Sequence, residues 1–210
     1  ESITIPESVK EFGVRCFYFC ENLQQINLPE GLEKIGTSAF EGCGALESIT
    51  IPEGVKKIGT SSFNGCTNIQ QINLPEGLES IGEDAFRNCK GLESITIPES
   101  VKEFGVRCFY SCRNLKQINL PEGLETIGYC AFDNTTSLSE IILPESVKKI
   151  GKYAFSGWTA SQTIKCKATK AGYNWDKYWN YNYNYNFTHP DSNATKISAN
   201  IIWGYQDNNT

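Results

Sequence analysis

The chain has 210 residues, which is enough for one good-sized domain or two small ones. Hydrophobic residues make up 40% and charged residues 20%, so the composition is that of a folded globular protein and argues against global disorder. The net charge of -5 argues against a nucleic-acid-binding surface, which is normally basic. No apolar run of about 18 residues occurs, so no membrane span is predicted in this fragment.

A 23-residue period runs through most of the chain, in seven copies without an insertion. Residues 1–20 and 93–112 are the same except that Phe19 is replaced by Ser111. A fixed period of this size is the signature of a solenoid, in which each repeat forms one coil of a stack. The repeats begin at Glu1, Gln24, Glu47, Gln70, Glu93, Lys116 and Ser139.

Counted from the first residue of each repeat, the apolar residues occupy positions 3, 5, 9, 12, 17, 20 and 23. The alternation of Ile26, Asn27 and Leu28 predicts a short strand with one buried face, which Pro29 ends. The following "GLEKIG" predicts a second short strand. In the second repeat the seven apolar residues are Ile26, Leu28, Leu32, Ile35, Phe40, Cys43 and Leu46.

The second half of the repeat contains a glycine and a short turn. We expect Gly36 to adopt a backbone angle closed to other residues. The segment "TSAFEGC" is too short for a long helix and predicts one helical or 3₁₀ turn, with Phe40 and Cys43 facing inward. Stacked at about 4.8 Å, the coils would form ladders of like side chains.

The frame from Leu23 to Cys43, "LQQINLPEGLEKIGTSAFEGC", resembles the BspA-like (Treponema-type) leucine-rich repeat. Residues 1–161 follow this frame as seven repeats. The resemblance implies a mostly-β, right-handed solenoid of the α/β repeat type with short 3₁₀ or helical turns. It also implies surface-exposed or secreted proteins of host-associated microbes, several of them regarded as adhesins, and it carries no catalytic motif.

Residues 162–210 are predicted to form a C-terminal cap rich in aromatic residues and asparagine. The last coils depart from the repeat, because Thr135 and Trp158 replace the repeated cysteine and Ser161 replaces the closing leucine. Terminal coils need a cover for their open apolar edge. All four tryptophans lie from residue 158 onward, at Trp158, Trp175, Trp179 and Trp203.

The nine cysteines are interpreted mainly as buried free thiols, since five of them fill the same inward position of successive coils. Cys130 and Cys166 break that pattern, and a disulfide between them is the alternative. A zinc site is disfavoured because "CFYFC" fits no common zinc spacing and His189 is the only histidine. We therefore expect no cofactor, no metal site and no catalytic residues.

A glutamate recurs after each proline and would line one edge of the stack. We interpret this row as a solvated edge whose repulsion is relieved by nearby lysines, with a cation site as the alternative. The glutamates are Glu7, Glu30, Glu53, Glu76, Glu99, Glu122 and Glu145.

Two surfaces are candidates for binding. The first consists of the outward positions of the predicted first strands, which carry short polar side chains and would suit a concave protein-binding face; the alternative is an ordinary soluble face. Besides Ser2 and Thr4, these residues are Gln25, Asn27, Ser48, Thr50, Gln71, Asn73, Ser94, Thr96, Gln117 and Asn119.

The second candidate is the alternating "YNYNYNF" of the tail. There Tyr181, Tyr183 and Tyr185 would share one side and could stack on sugar rings.

The sequence therefore predicts a non-enzymatic, extracellular or cell-surface module that binds a host or extracellular protein through the solenoid face. Carbohydrate binding by the tail and a purely structural spacer are the alternatives. The chain has no methionine and its first residue already belongs to the repeat array, so we expect a fragment in which no secretion signal is visible.

Overall fold

The computed structural model describes residues 2–168, 171, 174–181, 197 and 199–206. Each repeat forms one coil with two short strands, and the tail adds three more. The first strands are β1 (Ser2–Thr4), β3 (Gln25–Asn27), β5 (Ser48–Thr50), β7 (Gln71–Asn73), β9 (Ser94–Thr96), β11 (Gln117–Asn119) and β13 (Glu140–Leu143), continued by β15 (Thr163–Cys166) and β17 (Asn200–Trp203). The second strands are β2 (Glu11–Phe12), β4 (Lys34–Ile35), β6 (Lys57–Ile58), β8 (Ser80–Ile81), β10 (Glu103–Phe104), β12 (Thr126–Ile127), β14 (Lys149–Ile150) and β16 (Asn174–Trp175).

All strand pairs are parallel, and within the repeats each residue faces the one 23 positions further along. The second strands form one continuous eight-stranded sheet from β2 to β16. The first strands instead pair in twos, as β1–β3, β5–β7 and β9–β11, and end in the three-stranded sheet β13–β15–β17. The predicted mostly-β stack of about seven coils is thus confirmed. Among the described residues no helix could cross a membrane.

The segment predicted as a helical or 3₁₀ turn forms a non-helical turn in every described coil. The fifteenth and nineteenth residues of every coil have a positive φ, such as 55° at Ser38 and 75° at Gly42, and this left-handed backbone interrupts helical hydrogen bonding. These residues are Arg15, Ser38, Ser61, Asp84, Arg107, Cys130 and Tyr153, and Phe19, Gly42, Gly65, Asn88, Ser111, Asn134 and Gly157.

The turn segments, which are positions 14–19 of each coil, are instead joined to one another by a third ladder of hydrogen bonds. The backbone N–H of Ser38 donates to Thr60 O at 2.9 Å and that of Phe40 to Ser62 O at 2.8 Å. The N–H of Gly42 then donates to Asn64 O at 2.8 Å. Because the partners lie in the next coil, the turns stabilise the stack as the strands do.

From the second coil to the seventh, the glycine that follows the second strand allows close packing against the preceding coil. The expectation of an unusual φ at Gly36 is wrong. A Cβ built on Gly36 would lie 2.6 Å from Gly13 O, and one on Gly105 would lie 2.5 Å from Gly82 C. Real side chains do not approach backbone this closely. The glycines therefore form a row along which the backbones of successive coils touch.

The core contains a continuous stack of phenylalanine rings, one from each coil. Phe63 stacks on Phe40 with ring centroids 5.3 Å apart, and Phe86 stacks on Phe63 at 5.7 Å. Six of the seven apolar positions predicted in the second repeat are buried, and Leu28 is half-buried. The predicted inward face is thereby confirmed.

The repeated cysteines form a second row beside the phenylalanines. All nine cysteines are free, so no disulfide joins Cys130 to Cys166. The Cys89 thiol donates a hydrogen bond to Phe63 O at 3.2 Å, and Cys43, Cys66 and Cys112 do the same to the corresponding carbonyls. Burial raises the pKa of Cys112 to about 12, which keeps this thiol protonated as a donor at neutral pH.

Trp158 takes over this role in the last coil, where the cysteine is absent. Its indole Nε1–H donates to Phe132 O at 3.1 Å and to Thr135 Oγ1 at 3.0 Å. Thr135 and Trp158, the two residues that replace the repeated cysteine, thus contact each other directly. The larger indole also packs edge-on against Phe155, with ring centroids 5.2 Å apart.

Candidate functional site

The ten polar residues predicted from the first strands lie on one exposed face, which we call the polar strand face. In β3, β5, β7, β9 and β11 the central isoleucine is buried and its two neighbours are exposed, as expected from the alternation of side chains along a strand. The exposed residues are Gln25, Asn27, Ser48, Thr50, Gln71, Asn73, Ser94, Thr96, Gln117 and Asn119.

The polar side chains of this face are aligned in rows and bond to one another. Gln71 Nε2 donates to Asn73 Oδ1 at 3.0 Å, and Asn73 Nδ2 donates to Thr50 Oγ1 at 3.1 Å. Thr50 and Asn73 are partners in the strand register. Along this row, hydroxyl and amide side chains therefore alternate from one coil to the next. These contacts orient the side chains while they remain exposed to a partner.

Three shallow depressions recur on the face at every second coil. They lie between β3 and β5, between β7 and β9, and between β11 and β13, with volumes of about 640, 510 and 500 Å³. These are the places where neighbouring first strands belong to different hydrogen-bonded sheets. At the exposed strand positions up to β11, odd coils carry Ser and Thr and even coils carry Gln and Asn, so the sequence alternates with a period of 46 residues. This alternation therefore appears in the structure as a repeated surface feature.

The seven predicted glutamates are exposed along the edge of this face. Glu7 Oε2 accepts a hydrogen bond from the backbone N–H of Glu30 at 3.3 Å, and Glu99 Oε2 accepts one from Glu122 at 3.1 Å. Over the residues that the structure describes, no group of three or more His, Cys, Asp or Glu is placed to hold a metal ion. The row thus gives the polar strand face an acidic edge.

The neutral character of the face ends at the last three-stranded sheet. Ile142 stands where the earlier coils have Asn or Thr, and its register partner in β15 is Lys165. Lys165 Nζ lies 2.9 Å from Glu140 Oε2, and Lys167 Nζ lies 2.6 Å from Glu122 Oε1. Lys167 lines the third depression, and Lys165 pairs with Glu140, which also lines it. Neither lysine was predicted as a site residue; the sequence indicated them only through their alternation in "IKCK".

The second candidate surface is described only in part. Tyr183 and Tyr185 lie outside the described residues. Tyr181 is half-buried and packs edge-on against Tyr178, with ring centroids 5.2 Å apart. The Lys152 ammonium lies 5.0 Å from the centre of the Tyr178 ring.

The most perturbed carboxyl group lies in the turn segments, away from both candidate surfaces. Burial raises the pKa of Asp133 to about 7, although hydrogen bonds from Ser156 and Cys130 act in the opposite direction. Within the described part of the chain, Asp133 Oδ2 has no hydrogen-bond partner. The neutral acid is therefore the form that the fold prefers.

We expect Asp133→Asn to stabilise the protein more at pH 8 than at pH 5. The folded-state pKa of about 7 lies above the ordinary value of 3.8, so the folded chain binds the proton more tightly and loses stability as the pH rises through 7. The gain at pH 8 should exceed the gain at pH 5 by about 2–3 kcal/mol, because about two pH units separate pH 5 from the folded-state pKa of about 7. Urea unfolding at both pH values measures it, with the exposed Glu103→Gln as the control. An equal effect of Asp133→Asn at both values would contradict the shift.

Comparison with known proteins gives a consistent result. The family model "BspA type Leucine rich repeat region" matches residues 1–115 and 103–206. A leucine-rich repeat protein from T. pallidum is 31% identical, with a TM-score of 0.69 over 74% of this chain and 75% of that one. Among curated proteins, none matches this chain.

Two further solved structures have the same fold. A leucine-rich repeat protein from Bacteroides ovatus ATCC 8483 is 27% identical, with a TM-score of 0.69 over 84% of this chain. One from Eubacterium ventriosum ATCC 27560 is 27% identical, with a TM-score of 0.66 over 82% of this chain. The present chain spans 60% and 44% of the lengths of these two proteins. From its repeat frame, its parallel two-strand coils and the family match, the chain belongs to the BspA-type leucine-rich repeat family.

Proposed function

We propose that this protein is a non-enzymatic interaction module that binds an extracellular or host-surface protein through the polar strand face. The observation that carries the proposal is the exposure of all ten predicted residues in aligned rows, together with three depressions of similar size. A face needed only for solubility would not require depressions of the same kind at every second coil.

The proposed binding mechanism is avidity: a rigid stack of coils presents similar binding groups at a fixed spacing. Two coils at about 4.8 Å each place the depressions about 10 Å apart. The first two depressions offer amide groups from an even coil and hydroxyl groups from the next odd coil. The third has the same amide groups, but Glu140 and Ile142 stand at the positions of the hydroxyl residues. A partner that presents matching groups at this spacing would form several weak contacts at once, and their combined affinity would exceed that of any single contact.

The location that fits this role is the cell surface or the extracellular space, as implied by the resemblance to surface-exposed and secreted leucine-rich repeat proteins. The acidic edge and the net charge of -5 favour protein partners with basic or neutral surfaces over nucleic acids.

The tail from about residue 162 is assigned the role of closing the stack. Trp175 and Trp179 are buried, and Trp179 packs edge-on against Phe155 at a centroid distance of 5.9 Å. This contact continues the phenylalanine stack beyond the seventh coil. The assignment divides the chain into repeats over 1–161 and a cap over 162–210.

The test of the proposal is a series in which one, two and then three depressions are altered. The changes Asn27→Asp, Asn73→Asp and Asn119→Asp each add one charge without changing the side-chain shape. A pulldown from extracellular-matrix and host-surface proteins supplies the partner, and surface plasmon resonance measures its affinity. Avidity predicts that each added change weakens binding further, by about 1–2 kcal/mol per position.

The matched control is the set Lys34→Gln, Lys57→Gln and Lys149→Gln on the second strands β4, β6 and β14. It changes the net charge by the same amount but lies on the other sheet. The control set should retain the affinity of the unmodified protein. If both series weaken binding equally, the partner responds to net charge and the assignment to the polar strand face fails.

Carbohydrate binding by Tyr181, Tyr183 and Tyr185 stays a prediction from the sequence. Its test is the combined change of the three tyrosines to alanine, which would abolish any glycan affinity that the tail carries.

A further inference from the structure

The three depressions of the polar strand face are lined by three identical segments of the sequence. The segment "QINLPEG" occurs at residues 25–31, 71–77 and 117–123. These segments belong to coil 2 (residues 24–46), coil 4 (residues 70–92) and coil 6 (residues 116–138). In each of them the glutamine, the asparagine, the leucine and the glutamate line the depression. A ligand that follows the stack therefore meets the same four side chains once in every two coils.

The leucine gives each depression an apolar patch. Leu28, Leu74 and Leu120 are half-buried, whereas Ile51 and Ile97, at the same position of the third and fifth coils, are buried. Between the second and sixth coils, this apolar surface is therefore available only in the even coils. A ligand ring that packs on it would be removed from water, which favours binding.

Amide donors and a carboxylate accompany the leucine. Gln71 Nε2 and Asn73 Nδ2 each donate one hydrogen bond within the face, to Asn73 Oδ1 and to Thr50 Oγ1. A side-chain amide nitrogen carries two hydrogens, so each keeps a second one for a ligand carbonyl. Glu76 is exposed and lies three residues beyond Asn73 in the chain. Each depression thus combines an apolar patch, hydrogen-bond donors and a negative charge.

The spacing of the depressions discriminates between classes of extended polypeptide. Two coils at about 4.8 Å advance by about 9.6 Å. One turn of a polyproline II helix, which is three residues, advances by about 9.3 Å. A β-strand presents the same side every 6.8 Å or so, and seven residues of an α-helix advance by about 10.5 Å. Over two intervals the mismatch is about 0.6 Å for polyproline II and about 1.8 Å for the α-helix.

The hydrogen-bonding groups favour the same class. A polyproline II helix has no internal hydrogen bonds, so all its carbonyls remain available as acceptors. The carbonyls of an α-helix are used within the helix, except in its last turn. The donors of Gln71 and Asn73 therefore have acceptors along the whole length of a polyproline II ligand.

We propose that the polar strand face binds a proline-rich segment in the polyproline II conformation, with a basic residue at every third position. This inference rests on the proposed function and names its class of partner. Each turn of the ligand places a proline ring on the leucine and a carbonyl against the amides, and its basic side chain lies near the glutamate. In the third depression Lys167 already pairs with Glu122, so the first two depressions contribute most of the charge recognition.

The affinity of synthetic peptides for the full chain tests the inference, measured by fluorescence anisotropy at physiological salt. The periodic probe consists of four Pro-Pro-Lys triplets, which is long enough to reach all three depressions. The matched control peptide has the same prolines and lysines, but its lysines form one block at the end. Because the charge and the composition are the same, only the period differs. We expect the periodic probe to bind about five- to ten-fold more tightly.

Two sets of glutamate changes in the same three coils locate the binding of the periodic probe. The first set removes the carboxylate of each depression and should weaken binding about five- to ten-fold. It consists of Glu30→Gln, Glu76→Gln and Glu122→Gln. The control set removes the same charge at exposed positions that, in the described structure, do not line a depression, and it should change the affinity less than about two-fold. It consists of Glu33→Gln, Glu79→Gln and Glu125→Gln.

Four results would overturn the inference. No binding of the periodic probe would show that the face does not accept this class of ligand. Equal affinity for the periodic and the block peptides, or equal losses in the two glutamate sets, would show that only net charge is recognised. Tighter binding of an alanine-rich helical peptide with lysines seven residues apart would assign the depressions to a helix.

Failure of this inference is distinguishable from failure of the proposed function. The proposed function fails if a captured protein partner binds the Asn27→Asp, Asn73→Asp and Asn119→Asp variant as tightly as the unmodified chain. If that variant loses the partner while the periodic and block peptides bind equally, the polar strand face is the binding surface and its ligand is not polyproline II.

Discussion

Replacing Phe86 with alanine is expected to lower the free energy of unfolding by about 3–5 kcal/mol. The ring is fully buried and stacks on Phe63 at 5.7 Å and on Phe109 at 5.4 Å. Its removal leaves a cavity in the middle of the stack. Neighbouring coils cannot close this cavity, because backbone hydrogen bonds of the second strands and of the turn segments hold the coils at a fixed spacing. Urea unfolding monitored by circular dichroism measures the loss.

The matched control is Phe17→Ala at the same position of the first coil. Phe17 is half-buried and stacks on Phe40 on one side, at 5.1 Å. Its replacement should cost less than that of Phe86, because part of the ring already contacts solvent. Equal losses for the two variants would mean that the stack of rings does not carry the stability assigned to it.

Replacing Gly105 with alanine is expected to destabilise the protein by about 3 kcal/mol, although the change adds only one methyl group. That carbon would lie 2.5 Å from Gly82 C and 2.6 Å from the backbone N of Glu83. Both are backbone atoms of coil 4, so relief requires a shift of one coil against the next. The shift would weaken the strand pair β8–β10 as well.

Gly13→Ala is the control for this prediction, since nothing lies within 4 Å of a Cβ built at that position. It should leave the stability within about 1 kcal/mol of the unmodified protein. If Gly105→Ala proves as mild as Gly13→Ala, the glycine row does not limit the spacing of the coils.

The sequence predicted the core and the polar strand face well because both follow from simple periods. Alternation along a strand places Ile72 inward and Gln71 and Asn73 outward, whatever the details of the turns. The 23-residue period then repeats this arrangement in every coil. The same logic predicted the stack of phenylalanines.

The turn segments were predicted incorrectly because their backbone is set by contacts between coils. Position 19 carried a signal, since Gly42, Asn88 and Gly157 are residue types that tolerate a positive φ. Phe19 and Arg15 adopt the same backbone without such a preference, so the stack imposes it. A single repeat gives no indication of this, because the hydrogen bonds run to the next coil.

The depressions were also not predicted, although the 46-residue alternation was visible. Odd and even coils differ mainly in Ser and Thr against Gln and Asn, and these residues do not reveal which strand pairs form hydrogen bonds. The interruption between β7 and β9 is a property of the assembled stack. It converts a small difference in sequence into a repeated feature of the surface.

The most direct test of binding through the polar strand face is an array of extracellular proteins and glycans. The array is probed with the intact chain and with the variant carrying Asn27→Asp, Asn73→Asp and Asn119→Asp. We predict binding to a protein that the triple variant loses and that the Lys34→Gln, Lys57→Gln and Lys149→Gln control retains. Binding confined to glycans, or protein binding that the triple variant keeps in full, would contradict the account.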